Sequence, residues 1–131
     1  MSRTPGVGCG AVLMKDGAIL LIQRLTAPEA GCWSLPGGKV DWGELATQSA
    51  AREIEEELGV TTQGLDLLCV VDLIEADAHW VSPVYLARSF VGEPKLLEPQ
   101  KHGAFGWFTL DALPSPLAAS ARIAAEALAA R

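Results

Sequence analysis

The sequence predicts an α/β fold in one domain spanning residues 1–131. Three observations support this. Short apolar runs recur along the chain with Gly, Pro and Asp turn signals between them. One central segment, residues 45–58, has the spacing of an amphipathic helix. An alanine-rich segment, residues 117–130, closes the chain as a second helix.

The elements follow in order. Residues 7–14 are apolar and rich in small side chains and read as a buried strand. Lys15-Asp16-Gly17 is a hairpin turn, and residues 18–24 are the return strand. Pro28 and Gly31 mark residues 25–32 as a loop, and residues 33–35 form a short strand leading into a Pro36-Gly37-Gly38 turn. In the central helix, Ala51, Ile54 and Leu58 line the core side, while Ala46 and Ala50 leave room for the glycine loop to pack closely. Residues 65–74 and 79–90 are strands joined by the turn at 75–78. Residues 92–103 contain Pro94, Pro99 and Gly103 and read as a long loop, a kind of segment that is often functional. Residues 104–109 are the last strand, followed by a helical turn at 110–113 that ends at Pro114.

Half of the 131 residues are hydrophobic, which suits a packed globule and excludes a disordered chain. No apolar stretch is long enough to span a bilayer, and the N-terminal residues have no signal-peptide pattern. Cys9, Cys32 and Cys69 are odd in number and lack metal-ligand spacing. Cys9 and Cys69 sit in apolar runs as buried thiols, which fits a reducing cytoplasm. The net charge of −6 is unsuited to long nucleic acid, whose phosphates are bound by Lys and Arg. An acidic protein can still take one small phosphorylated molecule when cations bridge the like charges.

The most informative run is Arg52-Glu53-Ile54-Glu55-Glu56-Glu57-Leu58-Gly59-Val60. Helical periodicity puts Glu53, Glu56 and Glu57 on one face and Glu55 on another, in solvent. Each like-charge pair at ~5–6 Å repels by roughly 3 kcal/mol at an effective dielectric of about 20, less when well solvated. Gly59 stops the helix, so these carboxylates lie near its negative end and gain nothing from the dipole. Such an arrangement calls for a neutralising cation, and three carboxylates suit a hard divalent ion.

With Gly38 and Glu44 upstream, this run resembles the Nudix box, G-x5-E-x7-R-E-U-x-E-E-x-G-U, where U is a bulky aliphatic residue. Every defined position is filled between Gly38 and Val60. The resemblance implies an α/β/α sandwich around a mixed β-sheet and hydrolysis of a diphosphate linkage in a nucleotide. It implies Mg²⁺ as cofactor, with Mn²⁺ able to substitute. Glu53, Glu56, Glu57 and the Gly38 carbonyl are then the metal ligands, and Glu53 is a ligand, the base, or both. Arg52 orients a carboxylate, Glu56 being within its reach at i+4. Glu44 is either structural or an aid to the metal site. Arg24 and Lys39 are candidate phosphate contacts. Of Trp33, Trp42, Trp80 and Trp107, Trp80 is the first candidate to stack on a base, and Trp107 belongs to the core. His79 reads as a strand-edge residue and not as a catalyst.

One departure stands out. Similar proteins often carry a carboxylate just after the His of the segment Glu98-Pro99-Gln100-Lys101-His102-Gly103, where this chain has Gly103. That function is therefore missing or falls to Glu98. The leading expectation is hydrolysis of a nucleoside triphosphate to a monophosphate and pyrophosphate. The alternatives are an ADP-ribose or nucleotide-sugar pyrophosphatase and, from another class, a non-catalytic nucleotide sensor. A homodimer is a further expectation from the resemblance.

Overall fold

Two strands whose side chains are buried on both faces organise the molecule. They are β1 (Gly6–Val12) and β3 (Ala18–Arg24). Alternate residues of a strand point to opposite faces. Thus Cys9, Ala11, Leu20 and Ile22 enter one apolar cluster with the central helix α1 (Ala46–Leu58). Val12, Ile19 and Leu21 enter a second with the C-terminal helix α2 (Ala119–Ala129). The computed structural model describes residues 3–131, so Met1 and Ser2, which open the expected domain and N-terminal stretch, lie outside the described residues.

The remaining strands are β2 (Met14–Lys15), β4 (Trp33–Ser34), β5 (Gly37–Lys39), β6 (Thr61–Ile74), β7 (His79–Val91) and β8 (His102–Thr109). One sheet has the order β5-β1-β7-β6, with β1 parallel to β7 and the other pairs antiparallel. In the second, β3 pairs antiparallel with β2, β4 and β8. The mixed sheet with a helix on either side agrees with the α/β/α expectation. Among the described residues no helix is long and apolar enough to cross a membrane.

Three expectations need correcting. The Gly37-Gly38 segment is not a turn but an edge strand on β1, with Gly38 opposite Cys9. A Cβ at Gly37 would collide with the Cys9 carbonyl, so this pairing requires glycine. On α1 the inner face is Ala50, Ile54 and Leu58, all fully buried, while Ala51 is only half-buried, one 100° step round the helix. Strand β8 also starts two residues early, at His102, because Arg24 pairs with it across a bulge that leaves Gly103 of β8 unpaired. Trp107 stacks on Phe90 at 5.9 Å against the first cluster, as a core residue should.

Candidate functional site

Helix α1 starts where Gln48 Oε1 accepts the Leu45 amide at 2.9 Å. It ends at Gly59, whose φ of 70° is the left-handed conformation that caps helices. The last carbonyls of a helix lack partners within it. Here the loop before β8 supplies them: the Lys95 amide donates to Leu58 O and the Leu97 amide to Glu57 O, both at 3.0 Å. Those two bonds bring the following turn against the helix. In that turn Glu98 O accepts the amides of Lys101 and His102, so the Glu98 and His102 side chains sit one turn apart. Glu57, Glu98 and His102 are brought together, with one ligand atom from each within 4.8 Å of the others.

Glu57 is the best-fixed carboxylate of the acid run. It is 2 % exposed. Its Oε1 accepts the Gly37 amide at 2.8 Å, and its Oε2 lies 3.3 Å from His102 Nε2. Burial pushes its pKa up to about 8, against the lowering effect of the Gly37 amide. His102 is buried too, which holds its pKa below the ordinary imidazole value. Its Nδ1 has no hydrogen-bond partner among the described residues.

Glu53 is half-buried against the glycine strand. A Cβ on Gly38 would land on the Glu53 carboxylate, so glycine alone lets β5 approach this close. Burial raises the Glu53 pKa, although the Arg52 charge pulls it down. Glu56 is half-exposed, and Glu55 lies on the outer side, where it accepts Thr61 Oγ1. Among the described residues, Glu53, Glu56 and Glu57 do not themselves gather within 4.8 Å of one another.

Arg52 explains that spread. Its Nη1 lies 3.1 Å from both Glu53 Oε1 and Glu56 Oε1. Its Nη2 reaches Glu44 Oε1 at 3.0 Å and Asp41 Oδ2 at 3.1 Å. Glu44 also accepts Arg52 Nε and Ser49 Oγ, and these contacts hold its carboxyl below the usual range. One guanidinium thus touches four carboxylates, and the sequence had signalled only the i+4 contact to Glu56. Glu44 and Ser49 hold Arg52, and Arg52 draws Glu53 and Glu56 to one side.

Beside this lies a cleft of about 300 Å³ between the two sheets, lined by Gly8, Arg24, Gly38, Lys39, Trp80 and Ser82 among others. The three sequence-predicted contacts Arg24, Lys39 and Trp80 all border it. The Trp80 ring lies flat over Gly6, and Ser82 Oγ occupies the space over Gly8. Arg24 is oriented by its Nε–H donating to Pro28 O at 2.7 Å. Trp42 is fully exposed, Trp33 packs edge-on against Phe108, and His79 is exposed at the start of β7. Glu98 stands with Glu57 and not on the cleft rim. His102 was missed as a site residue. The available signal was the i, i+4 spacing of Glu98 and His102 in a loop, which has meaning only once that loop is seen to fold as a turn.

The donor set fits a divalent cation. It consists of hard carboxylate oxygens, one of them buried and oriented by a backbone amide, around glycines whose missing side chains leave space. Comparisons with known proteins agree. A NUDIX domain model matches residues 2–129. The crystal structure of a MutT NUDIX hydrolase from Burkholderia pseudomallei is 58% identical, with a TM-score of 0.94 over 96% of this chain and 99% of that one. An ADP-ribose pyrophosphatase from Methanocaldococcus jannaschii is 37% identical over 112 residues, and the match covers 84% of this chain and 65% of the relative. An 8-oxo-dGDP phosphatase, NUDT18, from Mus musculus is 32% identical over 109 residues, 82% of this chain and 33% of the relative. The chain therefore spans 65% and 33% of the lengths of these two relatives. With a complete box from the glycine strand β5 through helix α1 and a family match over nearly the whole chain, the protein belongs to the NUDIX domain family.

Proposed function

We propose that this chain is a divalent-metal-dependent hydrolase of a nucleotide diphosphate linkage, and that its substrate is a nucleoside triphosphate cleaved to the monophosphate and pyrophosphate. The observation that carries this reading is the position of the cleft. Its rim holds two cations and one indole, and its floor is the glycine strand that touches Glu53 and Glu57. A volume of about 300 Å³ is at the low end for ligand pockets. It suits one nucleoside better than the nucleoside and second ribose that ADP-ribose carries at the two ends of its diphosphate.

The roles follow from the contacts. Trp80 supports the base on its exposed face. Arg24 and Lys39 attract the phosphate chain toward Gly38. Glu53, Glu56, Glu57 and the Gly38 carbonyl would hold Mg²⁺, with Mn²⁺ as a substitute. The bound ion offsets phosphate charge and lowers the pKa of an attacking water. The Gly37 amide keeps Glu57 turned into the site, and Arg52 keeps Glu53 beside Gly38. Arg52 holds Oε1 of Glu53, so the other oxygen is the one placed to accept a proton. Glu44 and Ser49 act only through Arg52 and are positioning residues.

Product analysis tests the linkage: monophosphate and pyrophosphate are the expected products of a triphosphate, and ¹⁸O-labelled water shows which of the two phosphorus atoms of the cut bond is attacked. Turnover of ADP-ribose with none of any triphosphate would overturn the substrate assignment. Trp80→Ala is expected to raise KM roughly tenfold with kcat within about twofold, the pattern of lost uniform binding. An unchanged KM would remove Trp80 from the base site.

A further inference from the structure

We infer that Glu57, Glu98 and His102 form a mixed nitrogen–oxygen cation site that takes a borderline divalent ion of the Co²⁺ or Zn²⁺ type in preference to Mg²⁺. The inference shares Glu57 with the proposed Mg²⁺ set but does not depend on hydrolysis.

The geometry carries it. The three side chains offer one atom each, all within 4.8 Å of one another. Two ligands about 2.1 Å from one ion and about 105° apart are ~3.3 Å apart. Glu57 Oε2 and His102 Nε2 are separated by 3.3 Å. A hydrogen bond to a carboxylate is shorter, about 2.7–2.9 Å. The spacing is thus that of neighbouring ligands and is loose for a donor holding an acceptor.

The second observation is the histidine itself. His102 is only 6 % exposed, and its Nδ1 has no partner among the described residues. A buried polar atom without a partner costs about 1–3 kcal/mol, so a core histidine with no further task would be a poor choice here.

The chemistry then selects the ion. Imidazole favours Zn²⁺, Co²⁺ and their neighbours, whereas carboxylate, carbonyl and water favour Mg²⁺. Two carboxylates and one imidazole match the mixed ligand sets of such ions. The backbone is prepared for this as well. The Lys95 and Leu97 amides pin the loop to α1, and the Glu98 carbonyl closes the turn that presents both Glu98 and His102. Lys101 Nζ lies 3.3 Å from Glu98 Oε2, on the outer side of that carboxylate.

The test uses metal-free full-length protein titrated with Co²⁺ and followed by paramagnetic proton NMR. The chain has two histidines, His79 and His102, and His79 is exposed. A strongly shifted, exchangeable imidazole N–H resonance is expected in the wild type. It should persist in His79→Gln and vanish in His102→Gln. Calorimetry is expected to show Co²⁺ or Zn²⁺ affinity lower by tenfold or more in His102→Gln, with Mg²⁺ affinity within about twofold. Glu98→Gln, on the more exposed ligand, is expected to weaken Co²⁺ binding comparably while keeping the shifted resonance. No shifted imidazole resonance in the wild type would overturn the inference without any variant having to fold. So would equal loss of Mg²⁺ and Co²⁺ affinity in His102→Gln, which would reduce His102 to a prop for Glu57. Either failure leaves Mg²⁺-dependent hydrolysis standing, and its own failure would show as absent turnover with the Co²⁺ spectrum intact.

Discussion

Glu57→Gln is expected to lower Mg²⁺-dependent kcat by at least about 100-fold while leaving the fold and its melting temperature intact or slightly improved. The amide has the shape of the carboxylate, and its oxygen can still accept the Gly37 amide that Glu57 Oε1 accepts now. What disappears is a carboxyl that is 2 % exposed and whose ionised form burial already opposes in the metal-free chain, so losing it costs the fold nothing. It removes instead the one carboxylate common to both proposed ion sites. Glu55→Gln is the matched control, since Glu55 is exposed and bonded only to Thr61, and it should turn over at the wild-type rate. Steady-state kinetics with thermal melts of the same preparations check the pair. Near-normal turnover in Glu57→Gln and also in Glu56→Gln would remove the helix from the chemistry.

The second large effect is on stability. Arg52→Ala is expected to cost about 2 kcal/mol in metal-free buffer, or a melting temperature lower by roughly 5–10 °C. This figure is already reduced for the partial exposure of the pairs, since the Arg52 side chain is 28% exposed. Without the guanidinium, Asp41, Glu44, Glu53 and Glu56 face one another with nothing between them. Millimolar Mg²⁺ should recover part of the loss and raise the melting temperature of the variant more than that of the wild type, because an added cation then does what the arginine did. Arg52→Lys should retain only part of the stability. An ammonium restores the charge but not the planar fork that now reaches Glu44, Glu53, Glu56 and Asp41 at once. Equal losses with and without Mg²⁺ would mean that Arg52 contributes only packing.

The two halves of the site differed in how legible they were. Glu53, Glu56, Glu57 and Arg52 lie within six consecutive positions of one helix, so periodicity alone placed them on neighbouring faces. The spread of the three glutamates was not legible, because it depends on Asp41 and Glu44 reaching Arg52 from a loop before the helix. The meeting of Glu57 with Glu98 and His102 was not legible either. It depends on two amide-to-carbonyl bonds between residues far apart in sequence, from Lys95 to Leu58 and from Leu97 to Glu57. No residue type announces such bonds. The β5 strand escaped notice for a related reason: three residues with two glycines have no β-propensity to read, and the strand exists only because β1 offers it an edge. In contrast, β1, β3 and both helices were legible: the two strands are continuous apolar runs, and each helix buries a face at helical spacing.

The stitching of residues 95–97 onto the end of α1 has a mechanical consequence. It makes the helix terminus a ruler from which the Glu98–His102 turn is measured. A residue inserted at 92–94 changes only the slack before the first stitch and should be absorbed there. The same residue inserted between 97 and 98 shifts the turn along the helix by a full position and carries Glu98 and His102 away from Glu57 together. Natural or engineered length variation in this loop is therefore free on one side of Lys95 and forbidden on the other side of Leu97.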